Sequence, residues 1–210
     1  MRADKIWSDE AAVNDFLGRA EVGHLTTVDA EGWPHTVPID YVWHDQAIFF
    51  HTGSGAKMDH LAKNPQAALA VTEALEPLTS EITSENNPCR DTHLGRSVLI
   101  RGLARELAGT AEKITVLNLL IGKYDPRAAR LGENPPEAEA LKTNPGFAAC
   151  RVVKLEVVKL TARRFMLLNR PAEYRAALAQ RFEARGRALG SARSFKTALL
   201  LRSAVPGPDR

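Results

Sequence analysis

The chain has 210 residues, which suits one domain or one domain with an appendage, and its 44% apolar and 25% charged residues are ordinary for a globular protein. No apolar run approaches the roughly 18 residues of a membrane helix, which excludes a helical membrane protein. The first residues lack the apolar stretch of a secretory signal, and the two cysteines show no CxxC spacing. We therefore expect a cytoplasmic location, where cysteines stay reduced.

The net charge of +3 is unevenly distributed along the chain. From residue 151 onward, fourteen Lys and Arg residues face four Asp and Glu residues, so this segment is strongly basic. A basic segment is compatible with nucleic acid or a membrane surface as partner. Because it lacks interleaved aromatic residues and a nucleic-acid motif, we interpret it as a solvated helix and predict neither partner.

In the first half of the chain, the pattern predicts a helix over 8–20, which Ser8 can cap. Three β-rich runs follow at 23–30, 34–43 and 47–51, separated by short turns, and a helix over 56–65 comes next. Both Pro34 and Pro38 fall in the second run. Proline cannot donate to a strand ladder, so this strand is predicted to be an edge, bulged or interrupted.

In the second half of the chain, strands and helices are predicted to alternate less regularly. The pattern predicts a strand over 67–75, and the polar stretch over 76–95 is either a long loop or an excursion whose pattern is poorly readable. A strand over 95–108, an amphipathic helix over 110–124 and a short helix over 135–143 are predicted next. A strand over 146–164 and a helix over 173–189 with a ragged end complete the prediction. Consecutive short strands with hairpin turns favour an antiparallel barrel, and the regular alternation of a doubly wound parallel fold is missing. The expected class is mainly β (α+β).

The stretch FFHTGSGAKMDHL, which begins at Phe49, has the composition of an anion site. Gly53 and Gly55 allow close backbone approach, the first amides of the following helix point the same way, and Lys57 supplies charge. The spacing fits neither a Walker A loop nor G-x-G-x-x-G, whose third glycine is replaced by Met58. Two interpretations stay open: a phosphate site, or an ordinary strand–helix turn with a surface lysine.

Other chemistry-bearing residues form no recognisable constellation. The six histidines lack the spacing of a metal site, although His24 and His35 could face each other across a hairpin. We predict no metal site. There is no G-x-S-x-G motif, and Cys89 and Cys150 have no base nearby in sequence, so catalytic residues stay unassigned. His51 beside the glycines either contacts a ligand or caps the strand end.

Several motifs occur together in a specific order. They are an opening G-x-L-T-T strand, a D-x-x-G-x-P turn, a V-P-I strand, the F-H-T…G-x-K loop before a helix ending in N-P, and R-S-V-x-x-x-G before an E-K helix. In this order, residues 11–160 resemble the pyridoxamine 5′-phosphate oxidase-like flavoproteins, and more closely their Nim-type (nitroimidazole-resistance) branch.

The resemblance implies an antiparallel split β-barrel with peripheral helices that binds FMN at a homodimer interface, where a second subunit completes the pocket. Residues 1–165 would form this FMN-binding domain, and residues 166–210 a basic, mostly helical extension outside the resemblance. The implied cofactor residues comprise a phosphate end, an interrupted strand along the flavin ring and a later strand: His51, Thr52, Gly55 and Lys57; Pro38, Ile39, Asp40 and Tyr41; Arg96 and Ser97.

The implied activity is that of an FMN-dependent oxidoreductase that reduces a small organic acceptor, such as a nitroaromatic compound, with NAD(P)H as a candidate donor. Oxidation of vitamin B6 is not expected, because the Arg- and Trp-rich C-terminal signature is missing and no Trp follows Trp43. Three alternatives stay open. They are flavin binding without turnover, a deazaflavin in place of FMN, and haem binding with His51 or His93 as axial ligand.

Overall fold

The computed structural model describes residues 5–84, 87, 91–125 and 145–204. Its strands are β1 Val22–Val28, β2 Pro34–Asp40, β3 Val42–His44, β4 Ala47–Thr52, β5 Gln66–Leu78, β6 Thr92–Glu106 and β7 Arg151–Phe165. Its helices are α1 Glu10–Arg19, α2 Ala56–Lys63, α3 Ser80–Thr83, α4 Thr110–Tyr124, α5 Pro145–Ala149, α6 Ala172–Leu189 and α7 Ala192–Ser203.

The strands form one sheet in the order β2-β1-β5-β6-β7-β4-β3. The β1–β2 hairpin is antiparallel with Val22 opposite Asp40, and β4 pairs antiparallel with β7 with Phe50 opposite Val153. Strand β2 also contacts β4, so the sheet curves and its ends approach each other. The fold is therefore the predicted α+β class, an antiparallel split barrel with peripheral helices.

The position of β2 explains its prolines. It is the first strand in the sheet order and pairs with β1 on one side, so it is an edge strand. Pro34 and Pro38 then need no ladder hydrogen bond on the open side. Of the predicted options, the edge strand is the one observed, and β2 runs without a break to Asp40.

The chain divides into two compact units. One, here called the terminal unit, comprises Met1–Val13, Thr72–Val98 and Ala162–Arg210; the other, called the central unit, comprises Asn14–Val71 and Leu99–Thr161. This division follows contacts and not the sequence order, and the predicted boundary at residue 165 stays a prediction.

Each unit has its own apolar core. In the central unit, the apolar face of α4 with Val116 and Leu117 packs on Phe49 and Val152 of β4 and β7. In the terminal unit, Phe182 of α6 belongs to a larger cluster with residues of β5, β6 and α7. Burying large apolar side chains contributes roughly 1.5–3 kcal/mol each.

The glycine of the R-S-V-x-x-x-G motif has a packing role. A Cβ atom added to Gly102 of β6 would lie 2.2 Å from the carbonyl oxygen of Glu156 in β7. Since real Cβ atoms do not approach oxygen so closely, only glycine lets these two strands lie at this distance.

Two predictions of secondary structure were wrong. The polar stretch over 76–95 is not a long loop, because β5 continues to Leu78, α3 follows, and β6 begins at Thr92. The ragged end after residue 189 is α7, which packs closely on α6. Both errors arise because long-range packing gives polar residues partners that the local pattern does not show. The helix predicted over 135–143 lies outside the described residues. Within the described parts of the chain, we find no helix with the length and apolar character to cross a membrane.

Candidate functional site

The glycine loop lies where strand β4 passes into helix α2, in the central unit. Thr52 is buried at the end of β4, whereas His51 and the glycines are exposed. Gly55 has φ +138°, a conformation that side-chain-bearing residues rarely adopt. Its carbonyl oxygen accepts hydrogen bonds from the amides of Met58 at 2.8 Å and Asp59 at 3.2 Å, and so begins the helix.

The front of this loop is open to a ligand. The first amides of a helix have no partner within it, and no side chain caps the start of α2 among the described residues. A Cβ atom added to Gly53 or Gly55 would meet no atom within 4 Å. The half-buried Lys57 lies in the first turn. Uncapped amides, open space and a cation fit a phosphate group.

Helix α2 is fixed against β1 behind the loop. Met58 and Leu61 are its buried residues, and His60 Nδ1 lies 3.0 Å from the Thr27 hydroxyl. The His60 ring contacts His35 edge-on at 5.4 Å between centroids. The register places His35 opposite Thr27 and Pro38 opposite His24, so His24 and His35 do not face each other across this hairpin. Within the part of the chain that is described, no three metal-ligating side chains converge.

The predicted ring-binding strand ends in a buried residue. Pro38 and Asp40 are exposed, whereas Ile39 and Tyr41 point into the protein. The Tyr41 hydroxyl donates to the Leu17 carbonyl oxygen at 2.8 Å, and burial raises the pKa of Tyr41. The side chain of Tyr41 is therefore part of the core, and contact with a ligand would fall to the exposed residues of β2.

Helix α4 fastens this strand end. Lys123 Nζ donates to the carbonyl oxygens of Ala20 at 2.7 Å and Tyr41 at 2.8 Å, and it lies 4.0 Å from the Tyr41 ring centroid. The Tyr41 amide donates to the Tyr124 hydroxyl at 2.9 Å. Burial lowers the pKa of Lys123 to about 8, although Asp40 and Glu21 act in the opposite direction. Sequence reasoning missed this pair, whose signal was a Lys-Tyr dipeptide at the end of an amphipathic helix.

A second candidate site is a cavity of about 380 Å³ in the terminal unit. Its walls come from the N-terminal segment, β5, β6 and β7. They comprise Lys5, Thr72, Glu73, Ala74, His93, Leu94, Gly95, Arg96, Ser97, Arg163, Arg164 and Phe165. Arg96 and Ser97 of the predicted cofactor residues lie here, whereas the other eight belong to the central unit.

The charges of this cavity are ordered by short contacts. Arg96 Nε donates to Glu73 Oε2 at 2.6 Å, and the guanidinium lies 5.4 Å from the Trp7 ring. Lys196 of α7 also pairs with Glu73. Burial tends to raise the pKa of Glu73, but the hydrogen bonds from Lys196 and Arg96 outweigh it and lower the pKa. Glu73 is thus a charged carboxylate held by two cations.

Cys150 adds no reactive group to these sites. Cys150 is a half-buried free thiol, and burial raises its pKa, which disfavours the thiolate form that reacts. Cys89 lies outside the described residues.

Solved structures of other proteins share the fold. A conserved hypothetical protein from Mycobacterium tuberculosis aligns with a TM-score of 0.62 at 19% identity, over 81% of this chain and 93% of that one. A protein from Bacteroides thetaiotaomicron named for 5-nitroimidazole antibiotic resistance aligns with a TM-score of 0.59 at 17% identity, over 75% and 85% of the two chains. An FAD and haem binding protein from Mycobacterium smegmatis gives a TM-score of 0.59 at 18% identity, over 77% and 73%.

Comparison with sequence families gives a direct assignment. No curated protein matches the chain significantly. Residues 9–164, about three quarters of the chain, match the family described as pyridoxamine 5′-phosphate oxidase. This range contains the glycine loop, β2 and every strand up to β7. The chain therefore belongs to the pyridoxamine 5′-phosphate oxidase family.

Proposed function

We propose that the protein binds FMN and that the glycine loop between β4 and α2 holds the phosphate. The observation that carries this proposal is the start of α2: its first amides are not capped by a side chain, Gly55 leaves open space, and Lys57 lies in the first turn. His51 and Thr52 flank the same loop. A positive helix terminus together with a lysine stabilises a doubly charged phosphate group.

The remaining predicted residues have assigned tasks in this proposal. The exposed residues Pro38 and Asp40 of the edge strand β2 run along the flavin ring, and Ile39 between them contributes only its backbone. Tyr41 anchors the end of that strand through its hydroxyl group. Arg96 and Ser97 lie on β6 and stay in the predicted cofactor set. A bound flavin supplies hydride or electron transfer, and the chain supplies position and electrostatics.

We further propose a cytoplasmic homodimeric oxidoreductase that reduces a small organic acceptor with NAD(P)H. A nitroaromatic acceptor is the first candidate, because the fold is similar to that of the Bacteroides protein named for 5-nitroimidazole resistance. Steady-state oxidation of NADH or NADPH by the flavin-loaded protein with a panel of nitroaromatic and quinone acceptors tests turnover. If flavin binds but no combination of donor and acceptor gives turnover, the protein is one that binds flavin without turnover.

The absorption spectrum of the purified protein tests the cofactor. We expect flavin bands that disappear on denaturation and ultrafiltration, and one FMN bound per chain on titration of the stripped protein. FAD and a deazaflavin titrated in parallel distinguish the alternatives. Absence of flavin absorption together with absence of binding to all three would refute the proposal.

Lys57→Ala tests the phosphate end of the site. Loss of one charged hydrogen bond is expected to weaken FMN binding about tenfold to a hundredfold. Lys63→Ala, in the last turn of the same helix, is the matched control and should bind FMN as tightly as the wild type. Riboflavin, which lacks the phosphate, should bind both variants and the wild type equally. Unchanged FMN affinity in Lys57→Ala would remove this residue from the site.

Haem binding is kept as a second candidate, because the similar Mycobacterium smegmatis protein is described as binding both FAD and haem. Two histidines are placed where a ligand could reach them: His51 is exposed at the end of β4, and His93 lines the terminal cavity. Titration with haem should then give a Soret band that shifts in His51→Ala or His93→Ala. A spectrum unchanged from free haem would exclude this function.

A further inference from the structure

We propose that the cavity of the terminal unit binds a small organic anion through its phosphate or carboxylate group. This site is additional to the phosphate site proposed on the glycine loop. All the residues that line it belong to the terminal unit.

The first argument is charge. Four basic residues, Lys5, Arg96, Arg163 and Arg164, line the cavity, and Glu73 is the one acidic residue among the described lining residues. These lining residues carry a net charge of +3 without counting His93. From outside the lining, Asp9 acts on Arg164 and Lys196 pairs with Glu73. A concave site with one dominant sign of charge concentrates ligands of the opposite sign.

The second argument is that the cations are held in place. Arg96 is fixed between Glu73 and the Trp7 ring, and the Lys5 ammonium lies 4.7 Å from the Phe165 ring centroid. Cations that are already ordered lose less conformational freedom when a ligand binds, so more of the interaction energy is kept. Glu73 is also occupied by its own two partners, Arg96 and Lys196, which reduces its repulsion of an entering anion.

The third argument concerns size and shape. The volume of about 380 Å³ lies within the range of small-molecule pockets and is larger than an inorganic anion requires. Phe165 brings an aromatic residue to the lining, and Ser97 and Thr72 are hydroxyl-bearing residues of the lining. Guanidinium groups bind phosphate and carboxylate in a bidentate manner, so the ligand class is an organic molecule with one such group.

Calorimetric titration of the full chain tests the proposal. The probes are phenyl phosphate, benzoate and benzyl alcohol, which share an aromatic ring and differ in charge. We expect phenyl phosphate or benzoate to bind, with an affinity that falls as salt is added, and benzyl alcohol not to bind. The anion that binds with the higher affinity identifies whether phosphate or carboxylate is the preferred group. Equal binding of benzyl alcohol, or absence of binding by both anions, would overturn the proposal.

Variants localise the binding. Arg163→Gln and Lys5→Gln should each weaken the preferred anion about tenfold or more, since each removes a charged donor. Lys159→Gln, exposed on the same strand as Arg163 but outside the cavity lining, is the matched control and should bind like the wild type. Circular dichroism verifies that each variant folds, and two variants keep the test valid if one does not. Equal affinity in the two cavity variants and the control would overturn the proposal.

Competition with FMN separates the two proposed sites. Because Arg96 and Ser97 also belong to the predicted cofactor residues, the titration is repeated with saturating FMN. Retained anion binding supports a separate site, and displacement by FMN would overturn it. Lys57→Ala should leave anion binding unchanged, so failure of the cofactor proposal and failure of this one give different results.

Discussion

At the scale of single residues, Lys123 joins three segments of the central unit. Lys123 belongs to helix α4, and its ammonium group donates hydrogen bonds to the carbonyl oxygens of Ala20, which follows α1, and Tyr41, which follows β2. Burial lowers the pKa of this lysine to about 8. The protonation of Lys123 is therefore coupled to the hydrogen bonds that hold the end of β2, where Asp40 lies.

This coupling predicts a dependence of stability on pH. In the unfolded chain Lys123 keeps its proton up to about pH 10.4, whereas in the fold its pKa is about 8. Between about pH 8 and 10 the unfolded state then binds more protons, so the free energy of unfolding should rise with pH. The raised pKa of Tyr41 has the opposite effect, because the fold retains a proton that the unfolded chain loses above about pH 10.

Urea denaturation at several pH values checks this prediction. Lys123→Met keeps most of the side-chain volume and should remove the rise between about pH 8 and 10. Lys113→Met, on the same helix, is the matched control and should keep it. A rise of equal size in Lys123→Met and in the wild type would show that another group causes the dependence.

At the scale of elements, α7 is attached to β5 through a buried carboxylate. The Ser194 hydroxyl donates to Glu76 Oε1 at 2.8 Å, and the Glu76 amide donates to the Thr197 hydroxyl at 3.2 Å. Arg193 of the same helix donates to the Leu75 carbonyl oxygen at 2.6 Å. These contacts explain why β5 continues through a glutamate that the sequence places in a polar loop.

Ser194→Ala tests this attachment. The substitution removes the shorter of two hydroxyl donors to a carboxylate that is only 6% exposed, while the Ser191 hydroxyl stays 3.3 Å from the same oxygen. Loss of one hydrogen bond to a charged group is expected to cost about 1.5 kcal/mol of unfolding free energy. Ser203→Ala, exposed at the end of the same helix, should stay within about 0.5 kcal/mol of the wild type. Chemical denaturation measures both. A similar loss in both variants would mean that the carboxylate contact is not responsible.

At the scale of the whole molecule, the central unit exposes apolar residues on its sheet. Leu99 and Leu103 project from the outward face of β6, and Val158 of β7 is 70% exposed. Exposed apolar side chains on neighbouring strands are typical of an interface. We expect this face to lie between the two subunits of the proposed homodimer.

Light scattering after size exclusion tests the assembly. The wild type should have twice the 23.0 kDa mass of one chain, and Leu103→Glu should shift towards the single-chain mass because a buried charge without a partner is costly. Leu189→Glu changes an exposed leucine of α6 in the same way, and this control should remain dimeric. A monomeric wild type would contradict the proposed dimer.

Much of the fold was predictable because its signals are local. The first helix, the β1–β2 hairpin, the helix over 110–124 and the strand–glycine–helix junction at Gly55 were all predicted from neighbouring residues. The predictions failed where distant residues decide the outcome. Glu76 lies in a polar stretch of the sequence, and its place in β5 depends on hydrogen bonds with α7. The segment after Leu189 forms α7, which contributes those hydrogen bonds.

The sequence by itself determined the family, the antiparallel barrel and the glycine loop, since periodicity, turn residues and motif order are properties of contiguous segments. The tertiary structure alone decided that Tyr41 points inward, that Lys123 fastens the end of β2, and that cations from both ends and the middle of the chain surround one cavity. Lys5, Arg96 and Arg163 are far apart in sequence, and their joint charge exists only because the strands of the terminal unit bring them together.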